Sequence, residues 1–164
     1  MKNWREVSDT SRPDTGKRTS REVLQLCRIA NPRLVSDRQG IVWNFPAARK
    51  GRFETECRID GEGFRLALTD HWINPCDETN PRKSPVVLEL TRDVLGGGVW
   101  HKVSCMWDSE TKRVTLEVDG KCRQTSEMKS IPAFGLSYVH LQTLADGADC
   151  RGAYFRHFKM SGSK

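Results

Sequence analysis

The sequence lacks any apolar run approaching the ~20 residues of a membrane-spanning helix. None of its 164 residues falls in a sustained 3.6-residue apolar stripe either. The first absence excludes a helical membrane span, and the second excludes a helix bundle. C-x-x-C spacing is missing among the six cysteines (Cys27, Cys57, Cys76, Cys105, Cys122 and Cys150), which argues against a structural zinc site. No G-x-S-x-G nucleophile elbow occurs, and Gly96-Gly97-Gly98 lacks the Lys-Ser/Thr of a phosphate-binding loop. The opening MKNWREVSDTSRPDTGKRTSRE is charged throughout and holds no apolar segment of the kind a secretory signal needs. Two settings stay open: cytoplasmic if Met1 is the native start, or secreted if the domain is cut from a longer chain.

What the sequence has in abundance is a two-residue period. VLQLCRI (23–29), GIVWNFP (40–46), RFETECRI (52–59), FRLALT (64–69), VVLELT (86–91), WHKVSCMW (100–107), RVTLEVD (113–119), LSYVHLQTL (136–144) and AYFRHFKM (153–160) follow one another. Turn residues separate them, among them Gly51, Asp60-Gly61, Gly96–Gly98, Asp119-Gly120 and Asp146-Gly147. Such a series predicts an all-β fold of two antiparallel sheets, a sandwich or barrel. Residues 1–21 are polar, carry Pro13 and Gly16, and show no period, so they are read as a mobile arm or linker. The sandwich is expected over residues 22–161.

Alternation also assigns faces. Val114, Leu116 and Val118 share one side of a strand, and Thr115, Glu117 and Asp119 the other. The expected core is Trp43, Phe53, Ile59, Leu66, Leu68, Trp107, Val114, Leu116, Val118, Val139 and Leu141. Cys57 and Cys105 fall in phase with core positions and are expected as buried thiols. Cys76 and Cys150 fall in loops and are the better disulfide candidates in an exported domain.

The net charge is +6. No basic helix, zinc finger or RNA-binding signature accompanies it, so nucleic acid is not the expected partner. Solvated Lys and Arg on strand faces account for the excess, and an acidic glycan is a partner that would match it.

The stretch W-H-K-V-S-C-M-W-D (100–108), a polar turn, and then V-T-L-E-V-D-G-K (114–121) resembles the laminin-G-like, concanavalin A-like lectin/glucanase superfamily. In that family such strands form a hairpin of a jelly roll. The last strand, similar to AYFRHFKM here, returns beside the first. The runs VLQLCRI, FPAARKGRFETECRI and GFRLALTD resemble the opening strands of accessory sandwich domains on sialidase-like and other multidomain glycoside hydrolases. The resemblance implies a two-sheet jelly-roll sandwich and a carbohydrate-binding or accessory role, with neighbouring domains of a longer chain as further partners. The motif residues themselves read as scaffold. Trp100 and Trp107 are large enough to bridge sheets about 10 Å apart.

Some members of the superfamily are enzymes. Retaining glycosidases on this fold carry acidic residues at two-residue spacing, which holds the carboxyls about 5–5.5 Å apart. Glu54 and Glu56 come nearest, but Arg58 and Ile59 break the E-x-D-x-x-E continuation. The Gln-x-His strand of related lyases is not matched, because His140 and Gln142 stand in reversed order. The leading reading is therefore a non-catalytic module. A small jelly-roll hydrolase or lyase and a protein-interaction domain are the alternatives.

A sugar site needs an aromatic platform and a few fixed polar groups. Val139 and Leu141 pointing inward turn Tyr138, His140 and Gln142 outward, and Trp72 stands near the start of the 71–85 loop, HWINPCDETNPRKSP. The expected ligand surface is Trp72, Tyr138, His140 and Gln142, with Arg65 or Arg156 to meet an acidic sugar. No cofactor is expected. Calcium is the alternative, through Asp70, Asn74, Asp77, Glu78 and Asn80 or through Asp146 and Asp149.

Overall fold

A computed structural model of the chain describes residues 23–28, 40–77 and 79–163. The expected arm over residues 1–21 and the calcium candidate Glu78 lie outside the described residues. Among the described residues, ten strands form two antiparallel sheets. They are β1 (Leu24–Arg28), β2 (Gly40–Ala48), β3 (Lys50–Ile59), β4 (Phe64–Thr69), β5 (Val86–Leu90), β6 (His101–Asp108), β7 (Arg113–Val118), β8 (Lys121–Glu127), β9 (Leu136–Thr143) and β10 (Asp149–Ser163). The larger sheet has the order β1-β10-β3-β6-β7-β8, and the smaller β2-β9-β4-β5. The last long strand does return beside the first, with Leu24 paired to Phe155.

The inward residues of both sheets make one core. Phe53, Cys57, Ile59, Val103, Cys105, Trp107, Val114, Leu116, Val118 and Phe155 face Phe64, Leu66, Leu68, Leu88, Leu90, Leu136, Val139 and Leu141. Phe64 and Phe155 meet edge to face across the gap, with ring centroids 4.6 Å apart. Each fully buried Leu or Phe contributes roughly 1.5–3 kcal/mol. Burial pushes the Cys57 and Cys105 thiols up to about 12, so both stay protonated and inert.

One expected core residue is placed differently. Trp43 lies on β2, an edge strand of the smaller sheet, and is only half-buried, its ring 4.7 Å from that of Phe158. The two tryptophans of the hairpin motif also part company. Trp107 is buried between the sheets and its indole N–H donates to the Ala48 carbonyl at 3.2 Å. Trp100 precedes β6 and does not bridge the sheets. It lies on the outer side of the larger sheet, where the Arg156 and Arg58 guanidiniums come within 4.1 and 5.4 Å of its ring centre.

The hairpin motif is scaffold in detail. Asp119 (φ 52°) and Gly120 (φ 76°) make the two-residue turn that joins β7 to β8. One Asp119 carboxylate oxygen meets His101 Nδ1 at 2.7 Å and the other accepts the Lys102 N–H at 2.9 Å. The motif's His and Asp thus clamp the start of β6 to the end of β7.

Two elements were not expected from the pattern. Strand β8 is polar and almost wholly exposed, an edge strand placed by its ladder to β7 and not by apolar alternation. A single helical turn, Arg92–Leu95, follows β5 and buries only Leu95. In β10, the register shifts between Arg156 and Lys159, with His157 at φ 57°, a bulge that a periodicity reading does not resolve.

Candidate functional site

The face of the smaller sheet turned away from the core is built in three rows by the strand registers. Gly40, Gln142, Arg65 and Glu89 form the first, Val42, His140, Ala67 and Val87 the second, and Asn44, Tyr138 and Thr69 the third. The outward direction expected for Tyr138, His140 and Gln142 is therefore observed. What covers His140 and Gln142 is the segment after β4, residues 70–77, which forms a strap back across the sheet. Ile73 anchors the strap by burial, and the Ser137 hydroxyl donates to the Asp70 carbonyl at 3.2 Å.

The first row holds the strap down. The Gln142 side-chain amide donates to the Pro75 carbonyl at 3.0 Å and to the Asp77 carbonyl at 2.7 Å. Its own oxygen accepts from Arg65 Nη1 at 2.9 Å, and Glu89 accepts from Arg65 Nε and Nη2 at 3.1 and 2.9 Å. Gly40 is a seat for the strap, since a Cβ there would stand 2.3 Å from the Pro75 carbonyl oxygen. Arg65 is 1% exposed, and Gln142 and His140 are 0% exposed. As drawn from the sequence, these three were open to a ligand. They instead meet protein, because the strap lies where solvent was expected.

His140 is the unusual member of the second row. Neither ring nitrogen makes a well-formed hydrogen bond, though the Asn74 and Pro75 backbone lies against the ring. Burial pushes its pKa down to about 4 and the Arg65 charge adds to this, while the Pro75 and Asn74 backbone and Asp77 act the other way.

The third row stays open at the corner where β4 enters the strap. Trp72 is 58% exposed, and Asn44, Asp70 and His71 are exposed beside a half-buried Tyr138. Tyr138 pairs with Asn44 on one side and Thr69 on the other, so strand register brings these three together at the end of the sheet from which Asp70, His71 and Trp72 continue. His71 Nδ1 lies 2.7 Å from an Asp70 carboxylate oxygen and 3.2 Å from the Thr69 hydroxyl, which fixes the ring beside Trp72. The corner thus holds an exposed indole next in chain to a hydrogen-bonded Asp70–His71 pair, at the end of the sheet where Tyr138 lies between Asn44 and Thr69. His71 and Asn44 were missed as candidates, and Asp70 was weighed only for calcium. The signal available was the run Asp70-His71-Trp72 at a strand end.

Arg156 is not part of this corner. It belongs to the larger sheet, where it stacks on Trp100 and pairs through Nε with Glu56 at 2.7 Å, itself 7% exposed. Arg58 stands between Trp100 and Tyr154 on the same face, 4.6 Å from the Tyr154 ring centre. Glu54 pairs with Arg52 and Lys102, both at 3.2 Å. Burial raises its pKa, but the Lys102 hydrogen bond and the Arg52 charge outweigh it and hold the carboxyl below its usual range. Both acids of the carboxylate pair are thus salted to cations.

The acidic clusters weighed for calcium serve their own turns. Asp77 accepts the N–H groups of Thr79 and Asn80 and the Asn80 side-chain amide, at 2.7, 3.0 and 2.7 Å. Asp149 accepts the N–H groups of Glu62, Arg151 and Gly152 at 2.9, 3.1 and 3.1 Å. Among the described residues, no three His, Cys, Asp or Glu side chains converge to hold a metal ion. Cys76 and Cys150, weighed for a disulfide, are both exposed and are not bonded to each other.

No family model and no curated protein matches the sequence. Solved structures match the fold. A sialidase aligns with a TM-score of 0.57 at 13% identity over 79% of this chain, which corresponds to 15% of the sialidase. Lectin UEA-II complexed with galactose aligns with a TM-score of 0.56 at 11% identity, over 87% of this chain and 88% of the lectin. A putative glycosyl hydrolase from Parabacteroides distasonis aligns with a TM-score of 0.50 at 11% identity, over 85% and 88% of the two chains. At these identities the likeness is one of architecture. The fold these structures share with this chain is a two-sheet antiparallel β-sandwich.

Proposed function

We propose that the domain is a non-catalytic glycan-binding module, accessory to a carbohydrate-active protein, and that it binds through the Trp72 corner. The observation that carries the reading is Trp72, a large aromatic left 58% exposed beside the fixed Asp70–His71 pair. An indole stacks on the apolar face of a pyranose, and a carboxylate, imidazole and amide meet its hydroxyls. The lectin neighbour is complexed with galactose and the sialidase neighbour acts on glycans by name, which supports the same substrate class. The chain's match to 15% of the sialidase supports an accessory place within a longer protein.

The site takes its polar contacts from Asp70, His71 and Asn44. Arg65 and Arg156, the cations considered for an acidic sugar, are already engaged by Glu89 and Glu56. An uncharged pyranose is therefore the better fit. The non-catalytic reading is supported by the engagement of both carboxylates with cations, Glu54 with Arg52 and Lys102 and Glu56 with Arg156. A glycan array probed with the unmodified domain and with folded Trp72→Ala tests the proposal. Binding by the first and loss in the second is expected. An empty array, or equal binding by both, overturns it.

A further inference from the structure

We infer that residues 70–77 form an acid-released latch: protonation of His140 lifts the strap from the smaller sheet, displaces Trp72 and uncovers Arg65, His140 and Gln142. The strap is seated on a shaped surface, with Pro75 over the gap left by Gly40 and with Gln142 holding the Pro75 and Asp77 carbonyls. Directly along the same strand face, two residues from Gln142, sits an imidazole with 0% exposure and no well-formed hydrogen bond, with only the Asn74 and Pro75 backbone of the strap against its nitrogens. Such a group is tolerated while neutral and is costly once charged.

The charged groups facing His140 set the balance. From β4, Arg65 repels a proton; from the strap, Asp77 and the Asn74 and Pro75 backbone attract one. From β2 and β4, the direct neighbours Val42 and Ala67 are apolar and contribute no charge. Glu89 on β5 is engaged with Arg65. Attraction from the closed strap does not compensate for lost hydration, so a protonated ring favours the state in which water reaches it. With a folded pKa of about 4 against 6.5 for the exposed ring, the opening equilibrium rises roughly 150-fold as pH falls from above 6.5 to 4. Above 6.5 the closed strap keeps its full advantage.

Trp72 rides on the strap, so the latch also governs the glycan corner. That consequence rests on the proposed function, but the latch itself does not. Hydrogen exchange of the peptide spanning residues 70–77, corrected for intrinsic rates, tests the latch without any glycan. A core peptide over residues 113–118 reports global opening. The expected result is strap protection lost by at least tenfold between pH 7 and 4.5, with the core peptide still protected. His140→Gln should flatten the response. Gly40→Ala, which retains His140 but pushes on Pro75, should leave the strap open at both pH values. Strap protection that stays constant in the native domain, or that falls equally in His140→Gln, overturns the latch. If His140→Gln does not fold, a Gly40→Ala strap as protected as the native one at pH 7 overturns it as well. Failure of glycan binding with a working latch overturns only the Trp72 reading.

Discussion

The Gln142 side-chain amide reaches across to the Asp77 backbone carbonyl at 2.7 Å, joining the outer face of a strand to the loop that covers it. The same amide accepts from buried Arg65. One uncharged side chain therefore satisfies a guanidinium and two strap carbonyls at once. Gln142→Ala should leave all three without that partner and cost about 2–4 kcal/mol in urea unfolding. A loss below about 1 kcal/mol would mean that water replaces the amide at no penalty.

Stability should follow His140 in mildly acidic solution. Its folded pKa, about 4, lies below the 6.5 of the exposed ring, so the unfolded chain binds the proton more tightly. The contribution is complete above pH 6.5 and falls as pH drops toward 4, by at most about 3 kcal/mol. Asp149 acts in a lower window. Burial raises its pKa, but three backbone N–H donors outweigh this and hold it below 3.8, so its contribution disappears only as pH falls through that depressed value. Urea midpoints from pH 8 to 4 for the native chain and His140→Gln should diverge between 6.5 and 4. Parallel curves would contradict the assignment.

The sandwich core should be cooperative. Leu116 sits at 2% exposure in the middle of β7, among Cys105 and its neighbours on the larger sheet. Leu116→Ala should cost roughly 2–5 kcal/mol. Less than about 1 kcal/mol would place that strand wrongly.

No sugar release from a polysaccharide panel is expected of the isolated domain. Glu54→Gln should instead loosen the Arg52 and Lys102 pairs at the surface. Exposed pairs of this kind are worth only about 0–1 kcal/mol. Turnover that Glu54→Gln or Glu56→Gln abolishes would show that the carboxylates do chemistry.

Much of the architecture was legible because alternation reports which side of a strand is dry. Val114, Leu116 and Val118 declared the core face, and Asp119-Gly120 declared the turn. Strand β8 was not legible. At an edge with both faces wet, nothing in Lys121–Glu127 alternates, and only the ladder to β7 makes it a strand. The site was half legible for a related reason. A two-residue period turns His140 and Gln142 away from the core, but it cannot say whether water or a returning loop lies beyond them. That answer depends on Gly40 and Pro75, contacts between residues 35 apart in sequence. Arg156 was misplaced because facing outward is true of both sheets, and the period does not tell one outer face from the other.

The proposed glycan site at the Trp72 corner, with Tyr138 on the neighbouring strand, is tested most directly by calorimetric titration of a glycan selected from the array. Native domain, Trp72→Ala and Tyr138→Ala are compared at pH 7.5, where the strap is closed. Losing a stacked aromatic should weaken binding by roughly tenfold or more for Trp72→Ala, with a smaller loss for the half-buried Tyr138→Ala. If both variants are folded and bind the glycan as tightly as the native domain, the site is not at this corner.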